Sequence, residues 1–394
     1  MSINIAFDFD GVCTDLSFVK EYRINTSEFL YSPISIFTCS VRRGIFELIS
    51  VSGLFSNIFI LTSRPSEAKT FIQEWLVTNQ LSDFVRDIIC CGGVPKIELM
   101  KKYEIDLLVD DESKNLPRYN TVVKGILWKE QLWLEVLQDI LEYFVESQAR
   151  FKENPKHFLR GFQLSTDIGA SPVFILILDD QRNLKLRLCL NVQVRNRIVS
   201  FLNITSRNDY PHVSSLVNVN GLAILKTFIE GASIRSFKGQ ERLDLIFKTG
   251  IALAKLHAIE VDGVSSDLRL NVLDGEESLL VFSADNYNMI VTTTNEVVFI
   301  DLEACNVGSR WIDYCWAEEQ LCQNDREKNL LSEGYSFVYE GNYPSAAEKK
   351  MAKLSYKLWL TYQLQQSNAA HISDSQKIKA INDALQELWT SEQS

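Results

Sequence analysis

Over the first 150 residues, short apolar runs alternate with amphipathic stretches. INIAFDFD at 3–10, NIFILTSR at 57–64, RDIICCGG at 86–93 and IDLLVDD at 105–111 read as buried strands, and TVVKGILW at 121–128 as a fifth. Between them, PSEAKTFIQEWLVTNQ at 65–80 and VPKIELMKKYE at 94–104 carry apolar residues at helical spacing, the first with Pro65 at its start. Strands alternating with helices predict a parallel, doubly wound, Rossmann-like α/β sheet. KEQLWLEVLQDILEYFVESQARF at 129–151 predicts a long amphipathic helix, and Asn154–Pro155 a boundary behind it.

Beyond that boundary the pattern changes. PVFILILDD and LKLRLCLN read as two strands joined by a turn over 179–183, and GLAILKTFIEG follows at 221–231. From Glu241 onward helical periodicity dominates, with RLDLIFKTGIALAKLHAIEV strongly amphipathic and two long helical patterns over 345–393. The expected division is therefore 1–148, α/β, and 149–394, an α+β region with a small lobe at about 155–230 and a helical lobe at about 235–394.

Bulk properties narrow the function classes. A chain of 394 residues exceeds one ordinary core. No apolar run approaches the roughly 18 residues of a membrane span, and the first residues lack a signal-peptide pattern. The eight cysteines form no CxxC pair, which points to free thiols in a reducing compartment, so a cytoplasmic location and no membrane partner are expected. A net charge of -11, no basic stripe and no P-loop pattern argue against a nucleic-acid partner.

The polar residues cluster where predicted strands end. Asp8 and Asp10 follow the first, Thr62, Ser63 and Arg64 the second, and Asp110 and Asp111 the fourth, while Lys96 opens a helix after the third. In open α/β sheets, ligands bind outside these carboxyl ends. Two carboxylates one residue apart repel unless a cation offsets them, and oxygen donors suit Mg2+. One carboxylate can attack phosphorus, another can protonate the leaving oxygen, and a hydroxyl and an ammonium can hold phosphoryl oxygens.

This set resembles the haloacid dehalogenase (HAD) superfamily of phosphatases over roughly 3–127, with DFDGV, ILTSR, Lys96 and VDD as its four motifs. The resemblance implies a Mg2+-dependent phosphoric monoester hydrolase acting through an aspartyl-phosphate. Asp8 would be the nucleophile and Asp10 the general acid/base. Thr62, Ser63 and Lys96 would bind phosphate, and Asp8, Asp10, Asp110 and Asp111 would hold the metal with the Phe9 carbonyl. Lys69 is the rival for the lysine role. About 50 residues separate the first two motifs, too few for a large cap, so residues 17–37 are expected to form only a small flap. An open site suits a bulky phosphorylated small molecule, or one covered by a neighbouring domain or a partner subunit, so a homo-oligomer is one expectation.

In the second region, LLVFSADNYNMIV and VVFIDLEACNVGSRWIDYCW, after IALAKLHAIE, resemble the aminoglycoside and choline kinase-like phosphotransferases over roughly 158–390. The resemblance implies a two-lobed protein-kinase-like fold, Asn288 and Asp301 as metal-holding residues for ATP or another nucleotide, and Asp313 as a structural aspartate. His257 is expected to be structural. The sequence departs from the family pattern at several places. Ser283 occupies the place of the catalytic aspartate, with Asp285 two residues on. Lys185 or Arg187 stands for the strand lysine, VQVRNRIVSFL has no acid to pair with it, and the STDIGASP loop has one glycine. The expectation is thus a phosphatase with a degenerate kinase-like module, against a bifunctional kinase/phosphatase of small-molecule or polysaccharide-precursor metabolism and a non-catalytic scaffold.

Overall fold

The computed structural model describes residues 3–17, 32–117, 123–128, 133–147, 159–164, 173–178, 183–189, 191–261, 277–281, 284–286, 288–302, 304–339, 344–346, 348–350 and 352. Most of the expected flap, the 165–172 loop, the 179–182 turn, Asn154–Pro155, Ser283 and all of 353–393 lie outside the described residues. Contacts divide the chain into unit 1, residues 1–189 with 217–225, and unit 2, residues 190–216 with 226–394.

In chain order, unit 1 begins β1 (Ile3–Phe7), β2 (Thr14–Asp15), α1 (Pro33–Thr38), β3 (Ser40–Val41), α2 (Ile45–Ser52), β4 (Ser56–Thr62), α3 (Ala68–Thr78), β5 (Val85–Cys90), α4 (Lys96–Lys102), β6 (Leu107–Asp110), β7 (Lys124–Leu127) and α5 (Trp133–Ser147). β8 (Leu159–Leu164), β9 (Val173–Leu178) and β10 (Asn183–Leu188) follow. The first sheet has the order β5-β4-β1-β6-β7 and every pairing in it is parallel. Its strands read as continuous apolar runs because both faces are covered. Ile5 and Phe7 point into one core with Trp75, Trp128 and Phe144, while Ala6, Phe59, Leu61, Ile89 and Leu108 share the other with Met100. All five strands predicted from the hydrophobic pattern are present.

The larger core does not stop at residue 148. Leu159, Phe174, Leu176, Leu184, Leu186, Ala223 and Leu225 belong to it, so β8–β10 pack with α5 rather than apart from it. The compact units are therefore divided elsewhere than at the expected 148/149 boundary. A second five-stranded sheet runs β11-β12-β10-β9-β8, with β11 at Leu216–Asn220 and β12 at Ala223–Thr227. Its β8-β9 and β9-β10 pairings are antiparallel, the second in keeping with the turn expected over 179–183.

Unit 2 contains α6 (Val192–Arg207), β13 (Gly231–Ser233), α7 (Gly239–His257), β14 (Glu277–Leu280), β15 (Met289–Thr292), β16 (Val297–Phe299), β17 (Asn306–Ser309), α8 (Trp311–Gln320) and α9 (Asp325–Ser336). Asn191 caps α6 by accepting the Val194 amide at 2.9 Å, and Asn324 caps α9 through the Glu327 amide at 3.0 Å. α7 and α9 cross with backbones in close approach: a Cβ at Gly250 would lie 2.2 Å from the Leu331 carbonyl oxygen. Arg242 on α7 and Glu327 on α9, both buried, lock the crossing by an ion pair of 2.8 Å. No described helix is long and apolar enough to cross a membrane.

Candidate functional site

The parallel order puts the ends of β1, β4 and β6 side by side, so residues distant in sequence meet there. Asp8 continues β1, its amide bonded to the Val109 carbonyl at 2.9 Å. Asp110 ends β6 and is fully buried. Lys96 stands at the start of α4 and its Nζ lies 2.7 Å from Asp8 Oδ1 and 2.6 Å from Asp110 Oδ2. Oxygens of Asp8, Asp110 and Asp111 all lie within 4.8 Å of one another. Three carboxylates at that spacing form a donor set of the kind hard divalent cations take, so the residues present fit Mg2+. Asn115 donates to both oxygens of Asp110 at 3.1 and 3.2 Å, and the Glu112 amide donates to Oδ1 at 2.8 Å. Gly11, at φ +81°, closes the turn against this group: a Cβ there would meet Asp111 Oδ2 at 2.1 Å.

Asp10, expected among the metal ligands, is engaged elsewhere. The Arg64 guanidinium grips it side-on, with Nε 2.9 Å from Oδ2 and Nη2 2.8 Å from Oδ1, and Nη1 reaches Ser35 Oγ at 3.1 Å. Thr62 Oγ1 sits between the two groups, 3.4 Å from Asp10 Oδ2 and accepting the Arg64 amide at 3.2 Å. Ser63 is exposed at the strand end. The Phe9 carbonyl, expected as a ligand, is turned into its own loop, where it accepts from the Cys13 amide at 3.1 Å, the Thr14 amide at 3.0 Å and Thr14 Oγ1 at 3.1 Å. Three donors leave it no lone pair for a cation. Lys69 pairs with Asp87 at 2.7 Å, both part-exposed, which leaves Lys96 as the lysine of this group.

The electrostatics follow from burying like charges together. Burial pushes the Asp8 carboxyl well above the usual carboxylate range; Lys96 opposes this, and Asp110 and Asp10 add to it. Burial alone would lower the Lys96 ammonium, yet Asp8 and Asp110 hold it above its ordinary value. Burial, then Asp110 and Glu112, push Asp111 up to about 6. Without a divalent ion, Lys96 is the counter-charge of the cluster. Arg64 and Asn115 are the residues that the motif pattern did not assign. Their signal was positional: Arg64 ends the ILTSR segment itself, and Asn115 lies four residues beyond Asp111.

In unit 2 the antiparallel pairing of β15 and β16 sets Met289 opposite Phe299, and the Ile300 amide donates to the Asn288 carbonyl at 3.0 Å. Asn288 is thereby brought beside the segment that begins with Ile300 and Asp301. Asp285 accepts from the Asn288 amide at 3.0 Å and from its Nδ2 at 3.1 Å. Asp313 is fully buried, accepts the Val281 amide at 2.7 Å and lies 3.4 Å from His257 Nε2. His257 Nδ1 is 2.8 Å from the Tyr335 hydroxyl, so both its ring nitrogens are engaged in a structural network. Lys226, inside the apolar run of β12, is buried with Nζ 3.4 Å from the Ile300 carbonyl, a neighbour of Asp301 that sequence reading passed over. Lys185 and Arg187 both lie on β10.

No protein-family model matches the chain, and no curated protein matches it. Among solved structures it is similar to a gentamicin complex of APH(2″)-IIa, at 13% identity and TM-score 0.46, over 61% of this chain and 96% of that one. It is also similar to the ADP-bound aminoglycoside phosphotransferase APH(2″)-Ib, at 15% identity and TM-score 0.45, over 61% and 96%. A third is the choline kinase LicA from Streptococcus pneumoniae, at 9% identity and TM-score 0.45, over 64% and 99%. The finding overturns the expectation of a phosphoric monoester hydrolase: these neighbours are a choline kinase and phosphotransferases.

Proposed function

We propose that the chain is a small-molecule phosphotransfer protein with two phosphoryl-handling modules, a nucleotide-using one in unit 2 and a cation-and-phosphoryl centre in unit 1. The observation that carries the reading is the β15–β16 register, which sets Asn288 beside the start of the Asp301 segment with Asp285 bonded to it. A side-chain amide and a carboxylate on adjoining strand ends offer oxygen donors to a divalent cation carrying nucleotide phosphates. Asp285 is the carboxylate closest in sequence to Ser283 and can orient an acceptor hydroxyl.

The centre of unit 1 is favoured by a separate observation, Lys96 held between Asp8 and Asp110. Asp8, Asp110 and Asp111 would hold Mg2+, which when bound screens the charge of a phosphoryl group. Thr62, Ser63 and Lys96 would contact its oxygens.

The test is to incubate the full chain with γ-labelled ATP, Mg2+ and pooled hydroxyl and amine acceptors. A labelled small-molecule product that is lost in Asp301→Ala and kept in Asp8→Asn is the expected result. No product from the wild-type chain, or one indifferent to Asp301→Ala, would overturn the kinase-type reading.

A further inference from the structure

Helix α6 carries Arg195, Arg197 and Arg207 and no acidic residue. Arg197 lies on the buried face of the helix, at helical spacing with Val194, Ile198 and Phe201, and is only 9% exposed. Its Nε is buried without a hydrogen-bond partner, and among the described residues the side chain makes no ion pair or ring contact. The Nε of Arg195 is buried and unbonded in the same way. Guanidinium does not lose its proton in proteins, so Arg197 cannot escape the cost of burial by neutralising, as a lysine could. A buried Nε–H without an acceptor loses its hydrogen bond to water and leaves the inner edge of the guanidinium open to an anionic acceptor.

The surroundings add to the case for an anion. Helical side chains lean toward the N-terminus of their own helix. For Arg197 that is the end where free amides and the macrodipole favour negative charge. Asn191 occupies the Val194 amide there, and α6 is 16 residues long, so the end is a formed one.

We infer that Arg197 is the anchor of a buried anion site in unit 2 that takes a phosphoryl group, carried either on a nucleotide or as free phosphate. The planar fork of the guanidinium matches the oxygens of a phosphoryl group bidentately. The choice of phosphoryl over other anions rests on the phosphotransfer reading. The site itself does not depend on whether transfer occurs, because it is tested by equilibrium binding.

The experiment is a thermal melt of the full chain in EDTA, which removes the divalent cation that phosphoryl binding to the acidic centre of unit 1 needs. Inorganic phosphate, ATP and citrate are titrated separately against sodium chloride of matched ionic strength. The expected result is a saturable rise of the melting midpoint with phosphate or ATP, beyond that of the salt control. A response to ATP alone identifies the nucleotide as the source, and a response to phosphate identifies the free anion; both support the site. Arg197→Met should melt no lower than wild type without ligand, since a buried N–H without an acceptor has been replaced by an apolar chain of similar length. It should also bind at least about tenfold more weakly, the loss expected for a charge-assisted hydrogen bond. Arg197→Lys, which keeps the charge but not the fork, should be intermediate and serves if the Met variant does not fold. No saturable response in wild type, a response to citrate but not to phosphate or ATP, or an unchanged response in these variants would overturn the proposal.

Discussion

Lys96→Met isolates the electrostatics of the acidic centre. The ammonium lies 2.7 Å from Asp8 and 2.6 Å from Asp110, and all three side chains are buried. Removing one member of a buried ion pair costs about 3–5 kcal/mol, because the partner charge stays behind without compensation. Here two carboxylates stay behind, so the upper part of that range is expected at pH 8 in EDTA. The loss must also depend on pH. Asp8 is already raised by burial, against Lys96, and without the lysine it rises further. A carboxyl whose folded pKa exceeds its unfolded value contributes no penalty below the unfolded value, about 3.9. The penalty then grows by about 1.4 kcal/mol per pH unit as pH climbs toward the folded value. The variant should therefore approach wild type near pH 4–5 and fall away from it as pH rises. Millimolar Mg2+ should restore part of the deficit at pH 8 by replacing the missing cation. Urea titration at pH 5 and pH 8, with EDTA and with Mg2+, measures all three effects. A variant within about 1 kcal/mol of wild type at pH 8, or a loss equal at the two pH values, would refute the reasoning.

Gly11→Ala should cost about 1–3 kcal/mol and weaken Mg2+ binding measured by calorimetry, because φ is +81° and the new Cβ would meet Asp111 Oδ2 at 2.1 Å. Arg242→Met should cost about 3–5 kcal/mol by urea titration, since it strands Glu327 in the α7–α9 interface. Gly250→Ala should lower the melting temperature despite a helix-propensity gain of about 1 kcal/mol, the Leu331 carbonyl standing 2.2 Å from the added methyl. Burial holds His212 below its ordinary pKa, so the stability of its neutral form is present above about pH 6.5 and is lost as pH falls through the lowered value. His212→Asn should flatten the urea-midpoint profile across that window.

The first sheet was readable because parallel strands covered on both faces leave long apolar runs, and because the short crossings between them fix neighbours in space. The division of the chain was harder to read. Local signals at Asn154–Pro155 mark a break in the chain, but a core is a matter of contact, and Phe174, Leu186 and Leu225 share one with Ile5 and Phe144. Periodicity tells which face of β9 or β10 is buried, and says nothing of what buries it. Helix starts shifted for a similar reason: α3 begins at Ala68, three residues after Pro65, in a segment whose first turn is not α-helical.

Site residues divide along the same line. Asp8, Asp110 and Lys96 could be brought together from strand order alone, since the rule for carboxyl ends needs only the order and direction of strands. The fate of Asp10 could not be read that way. It is one residue from Phe9 and two from Asp8, so a strand extended through all three would aim both carboxylates alike. The strand ends at Phe7, and the turn closed by the Phe9 carbonyl sends Asp10 toward β4 instead. There Arg64, fixed in turn by Ser35, supplies the cation that a metal was expected to supply. The same turn explains why the Phe9 oxygen is lost to the ligand set: it is consumed in building the loop that separates the two acids. The outcome is one group of acids offset by Lys96 and another offset by Arg64. A divalent ion added to the first competes with an ammonium, while the Arg64 pair keeps its own partner. Divalent-ion binding should for that reason couple to Lys96 far more strongly than to Arg64, a difference no spacing of motifs could express.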